Sequence, residues 1–200
     1  MKGCCYMDNM TREILKKLEA EMPLNEEEVE TFLSFLCNDV RARVGIKNSM
    51  ATYYKKCYEA TITFGRMVLG LGYPLDIFKV HEVLGIPLTH FTNVIVFNVN
   101  GKLTPYLVDM TYSQFFADKI YLDGADGKKV ATKKAIEKLE DKEFVYKLRK
   151  KGFVKLDNKV LKDYVDMFLD LCSIKDKSSY YAKANSYFKG YKLGISNNRR

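Results

Sequence analysis

Two hundred residues, 47% of them hydrophobic, suit a globular domain with a sizeable core and exclude a fibrous or wholly disordered chain. Five cysteines without paired spacing, and two histidines outside any CxxC or HxxxH pattern, point away from a disulfide scaffold and from zinc, so neither metal nor cofactor is expected. The net charge of +8 sits at the back, since positions 119–200 hold 21 of the 33 Lys and Arg residues; this basic third reads as solvated helix faces or a surface for an acidic partner, with nucleic acid not expected.

No charged-then-apolar leader opens the chain and no apolar run nears the roughly 18 to 20 residues a bilayer needs, so a cytoplasmic protein with no membrane span is expected. "TREILKKLEAEM" predicts an amphipathic helix capped by Thr11, with Ile14, Leu15, Leu18 and Met22 on its apolar face, ended by Pro23. Asn25 caps a second helix whose acidic first turn suits the helix dipole and whose face carries Val29, Phe32, Leu33 and Leu36, with Cys37 beside it. After Gly45 a third helix repeats Cys57, Ala60, Thr61, Phe64, Val68 and Leu71, and stops at the cluster of Gly70, Gly72 and Pro74. "LDIFKVHEVLGIPLTH" fits either a short strand or a connecting helix.

In "THFTNVIVFNVNGKLTPYLVDMTY" the pair Asn100-Gly101 marks a two-residue hairpin turn, because both positions of a type I′ turn need φ > 0. Counting outward sets Val99 against Lys102 and Thr92 against Asp109; His90, on the same face as Thr92, becomes a diagonal neighbour of Asp109. Pro105 must then turn its nitrogen away from the partner strand or sit at a bulge or edge. "DGADGKKVATKK" reads as a loop, helix resumes from Ala135 through "EKLEDKEFVYKLRKKGF", and Asp157 caps a further helix over "DNKVLKDYVDMFLDLC". From Ser178 the chain keeps amphipathic character, with Tyr180, Tyr181, Tyr187 and Tyr191 packing on the domain rather than stacking on bases, and ends in a basic tail.

Cys57 follows Lys55 and Lys56 a little way into its helix; if that helix begins near Tyr54 to Cys57 the dipole joins the nearby cations in favouring thiolate, and if it begins at Ser49 the dipole contribution largely disappears. Burial on the apolar stripe is the competing account of Cys57. With His90 and Asp109 it completes an ordered set able to attack, move a proton and orient the imidazole. His81 lacks a comparable aspartate, and Glu59 points away from Cys57 on the helix.

"KKCYEA" with Cys57, "THFTNVIVF" with His90 and "YLVDMTYSQF" with Asp109 resemble the transglutaminase-like, papain-like cysteine enzyme superfamily, over roughly residues 45 to 118. In the last stretch, Thr111 and Gln114-Phe115 look like the closing motif that follows the family's aspartate. The resemblance implies an α+β fold with a central helix packed on a small antiparallel sheet and extra helices at both ends. With the helices read on either side, the chain falls into an N-terminal helical segment (1–44), a Cys-His-Asp core (45–134) and a helical C-terminal extension (135–200), expected to form one compact domain overall. The resemblance further implies a cysteine-dependent acyl transfer on amide bonds of a protein or peptide substrate, as peptidase, glutamine deamidase or transamidase. The family's glycine-rich or tryptophan-bearing lead is replaced here by "NSMATYYKKC", so the backbone N–H of Cys57 is joined by Asn48, Tyr53 or Tyr54 as candidate oxyanion donors. The expectation from another class is a catalytically inactive domain of this fold that engages an acidic partner or nucleic acid through its basic third.

Overall fold

Asn100 and Gly101 both adopt positive φ, 50° and 83°, and the two longest strands fold back around them. In this computed structural model, which describes residues 9–47, 55–71, 75–116 and 142–196, strand β2 (Phe91–Val99) pairs antiparallel with β3 (Lys102–Val108) in the register Val99↔Lys102 to Asn93↔Val108. One more step sets Thr92 against Asp109, as the turn predicts. Pro105 satisfies its condition: its carbonyl accepts from Leu156 N at 2.8 Å, on the side away from β2, and in an antiparallel strand a residue's N and C=O share one edge.

Two further strands complete the sheet in the order β1-β2-β3-β4: β1 (Leu75–Lys79) along β2 and β4 (Phe153–Lys155) along β3. The first resolves a reading the sequence left open, and the second corrects one. The ambiguous segment is strand and helix in succession, β1 followed at once by α4 (Val80–Leu84). The helix expected through Phe153 ends as α5 (Glu143–Lys150), because Gly152 at φ +87° turns the chain into β4. Residues 123–134 and the start expected for that helix at Ala135 lie outside the described residues.

Helices cover both faces. On one side α1 (Asn9–Glu19), α2 (Glu26–Arg43) and α3 (Cys57–Leu69) pack on Ile95, Phe97, Val99, Tyr106 and Val108. On the other, α4, α5, α6 (Asn158–Leu171), α7 (Ser178–Phe188) and a one-turn 3-10 helix (Tyr112–Phe116) pack on Phe78, Val94, Leu107 and Val154. The protein is therefore mixed α+β, with seven α-helices and a four-stranded antiparallel sheet among the described residues. No helix among them is long and apolar enough to cross a membrane.

Local chemistry sets the boundaries. Asn25 and Glu28 form a reciprocal capping box at 2.9 Å each way, and Asp157 accepts from Val160 N at 2.8 Å. Thr11 is not a cap: it lies buried within α1, after Asn9 and Met10 of the same helix. Met22 leaves the stripe because the helix stops at Glu19 and Glu21 takes a left-handed φ of 53°, which turns Met22 out to 53% exposure.

Candidate active site

Cys57 is the first residue of α3, and the opening N–H groups of a helix have no helical acceptor, so the position favours negative charge. His90 immediately precedes β2, its carbonyl held by Val80 N at 3.0 Å, and Asp109 immediately follows β3, its N–H donated to Gly152 O at 2.8 Å. The fold thus brings one helix start and two strand ends together. His90 Nε2 lies 2.7 Å from Asp109 Oδ2, and both residues are buried, 1% and 2% exposed. Cys57 is half-buried, and its thiol is electrostatically coupled to the His90 ring. Since Asp109 occupies Nε2, the nitrogen left for the sulfur is Nδ1.

The electrostatics favour proton transfer from sulfur to ring. Burial pushes the Cys57 thiol up, but the hydrogen bond and charge of His90, with a backbone N–H from Phe91, outweigh it and leave the group below its ordinary 9.0. Burial alone would depress His90; the charge and hydrogen bond of Asp109, then the contact with Cys57, reverse that and raise it well above 6.5. The cation expected beside the sulfur plays another part. Lys56 Nζ pairs with Glu59 at 2.5 Å, and the side chain and amide that lower the thiol are those of His90 and Phe91, beside the helix start.

Asp109 is saturated with donors. Its Oδ1 accepts from Thr111 N at 3.2 Å and Thr111 Oγ1 at 3.1 Å, and its Oδ2 accepts from Tyr164 Oη at 2.8 Å as well as facing His90. Burial first, then the charge and hydrogen bond of Asp109, push the Tyr164 hydroxyl well above its ordinary range, so it stays a donor. Gln114 Nε2 lies 3.3 Å from His90 Nδ1 and 3.3 Å from Thr111 Oγ1. The His90 ring is clamped by Phe115, edge-on at 4.9 Å, and Phe168, near-parallel at 5.4 Å. Such a clamp fixes the ring plane and keeps water from its faces.

Tyr164, Phe168 and Gly152 escape sequence reasoning because they come from elements beyond the hairpin. One signal existed: Tyr164 falls on a buried stripe with Leu161, Val165 and Phe168, and a phenol on such a stripe needs a polar partner. His81 stays apart from the cluster, half-buried in α4 with its ring 5.3 Å from Phe91, whose own ring meets Tyr58 at 5.2 Å. The oxyanion candidates Asn48, Tyr53 and Tyr54 lie outside the described residues. Among those residues no group of three His, Cys, Asp or Glu side chains is arranged to hold a metal ion.

A thiol, an imidazole and a carboxyl, the last two joined by a hydrogen bond, are the parts a covalent nucleophile requires. No known protein family, no curated protein and no solved structure matches this chain.

Proposed function

We propose that this protein is a cysteine-dependent acyl-transfer enzyme of the transglutaminase-like kind, acting on amide bonds of protein or peptide substrates. The observation that carries the reading is the series Cys57–His90–Asp109, with a 2.7 Å bond at its buried end and a half-buried sulfur at its open end. Cys57 passes its proton to His90 Nδ1, and the thiolate attacks the amide carbonyl carbon. The carbon–nitrogen bond breaks, the proton on Nδ1 goes to the leaving amine, and a thioester to Cys57 remains. A second nucleophile, water or an amine, then gives its proton to His90 as it displaces the sulfur. Asp109 holds the ring with Nδ1 toward Cys57 and offsets the charge that develops on it.

Among the described residues, the backbone N–H of Cys57, at the start of α3, is a donor whose position in the helix lets it face a developing oxyanion. Water as second nucleophile makes the enzyme a peptidase or a glutamine deamidase; a lysine or polyamine makes it a transamidase. The test is a panel of glutamine-containing peptides and proteins incubated with and without a primary amine, scored by mass spectrometry for cleavage, deamidation and amine incorporation. Any of the three products that disappears with Cys57→Ser supports the reading. Failure of all three, with Cys57 no more reactive than the other cysteines, overturns it.

A further inference from the structure

The amide of Gln114 can be oriented from its own contacts. Thr111 Oγ1 uses its hydrogen toward Asp109 Oδ1 at 3.1 Å, so what it offers Gln114 at 3.3 Å is a lone pair, and the group facing it is the NH2. That same nitrogen lies 3.3 Å from His90 Nδ1. One hydrogen goes to Thr111 and the other points at the ring, where it can be accepted only when Nδ1 carries a lone pair. We propose that Gln114 is a positioning residue that competes with Cys57 for His90 Nδ1: it stabilises the neutral ring, protonated on Nε2 toward Asp109, and has to release Nδ1 each time that nitrogen takes the Cys57 proton.

The polar neighbours of the ring among the described residues fit this division. Asp109, from the end of β3, faces Nε2, and Gln114, from the 3-10 helix, faces Nδ1, the nitrogen that Asp109 leaves for Cys57 of α3. Tyr164, from α6, reaches the ring only through Asp109, and Phe115 and Phe168 close its faces. The single proton shared by the pair therefore has two homes. In one, Cys57 is a thiol and His90 accepts from Gln114; in the other, Cys57 is a thiolate, His90 is an imidazolium, and the Gln114 amide has lost its acceptor. Gln114, itself 6% exposed, sets the balance between them, which keeps His90 able to act as a base.

The role of the bond in catalysis rests on the acyl-transfer reading, but the bond itself is tested without it, by following the His90 imidazole through a pH titration with nuclear magnetic resonance. Gln114→Met keeps the bulk and removes the donor, so the neutral ring loses a partner and His90 titrates upward by about half a pH unit or more, roughly a threefold shift in the equilibrium. Gln114→Glu replaces the donor with an acceptor that favours Nδ1–H, and moves the titration further in the same direction. A folded variant of either kind that titrates as wild type overturns the proposal. Acyl transfer failing in the wild type, with these shifts present, would instead overturn the function and leave the Gln114 bond standing.

Discussion

Tyr164 Oη lies 2.8 Å from Asp109 Oδ2, the same oxygen that faces His90 Nε2 at 2.7 Å. The helices expected as a C-terminal extension from residue 135 thus help to build the site: α6 supplies the hydroxyl that steadies Asp109 and the Phe168 ring that clamps His90. Tyr164→Phe keeps the ring and removes that donor. It is expected to cost about 1–3 kcal/mol in urea unfolding, the usual cost of a buried acceptor losing a partner, and to slow Cys57 less than loss of His90 does. A variant as stable as the wild type would mean that the hydroxyl contributes nothing to Asp109.

Asp109→Asn removes the charge that lifts His90 and loosens the order of the ring. Amide turnover is expected to fall by roughly 10²- to 10⁴-fold, the usual contribution of positioned acid–base catalysis, while circular dichroism at low temperature stays native. Retained turnover would remove Asp109 from the mechanism.

Gly152 at φ +87° presents its carbonyl to Asp109 N at 2.8 Å, and a Cβ there would lie 2.9 Å from an Arg41 guanidinium nitrogen and 3.1 Å from Met110 Cγ. Gly152→Ala is expected to destabilise the fold by about 1–3 kcal/mol, measured by thermal or urea melts, through a left-handed backbone in a crowded place. It also disturbs the backbone that aims Asp109, so reactivity at Cys57 should fall with stability rather than independently of it.

The Cys57 and His90 shifts make opposite contributions to stability as pH changes. A thiol lowered in the folded state adds stability that is fully present above its ordinary 9.0, shrinks below that, and is gone once the pH has fallen through the lowered value. A raised imidazole adds stability that is fully present below its ordinary 6.5 and is lost as pH climbs through the raised value. Urea melts across this range should therefore show the advantage of wild type over Cys57→Ser growing with pH toward 9, and its advantage over His90→Ala shrinking above pH 6.5. Differences that stay constant with pH would mean that the two groups do not interact.

Much of the site was legible because a single turn determines it. Once Asn100-Gly101 is read as a two-residue loop, the strand period places His90 and Asp109 on one face, and the structure brings them to 2.7 Å. For Cys57 the sequence left two helix starts open, near Tyr54 to Cys57 or at Ser49, and α3 opens at Cys57. Strands β1 and β4 were not, because five and three residues are too few for a period of two to show. The thiolate setting was legible in part: His90, which the sequence reading pairs with Cys57, lowers the thiol most, whereas Lys56 pairs with Glu59 and the further N–H comes from Phe91, 34 residues on. Tyr164 lies 55 residues from Asp109, a contact that no local pattern encodes.

The central claim, a sulfur activated by His90, is tested most directly by the pH dependence of iodoacetamide alkylation, resolved by mass spectrometry, in wild type and His90→Ala. Two other thiols in the same sample act as controls, since burial pushes Cys37 up to about 12 and Cys172 up to about 11. The account predicts that wild-type Cys57 is labelled selectively at pH values well below its ordinary 9.0, and that this advantage disappears in His90→Ala. Slow labelling of Cys57 with the same profile in both proteins would contradict it, leaving Cys57 as a core residue at the start of a helix.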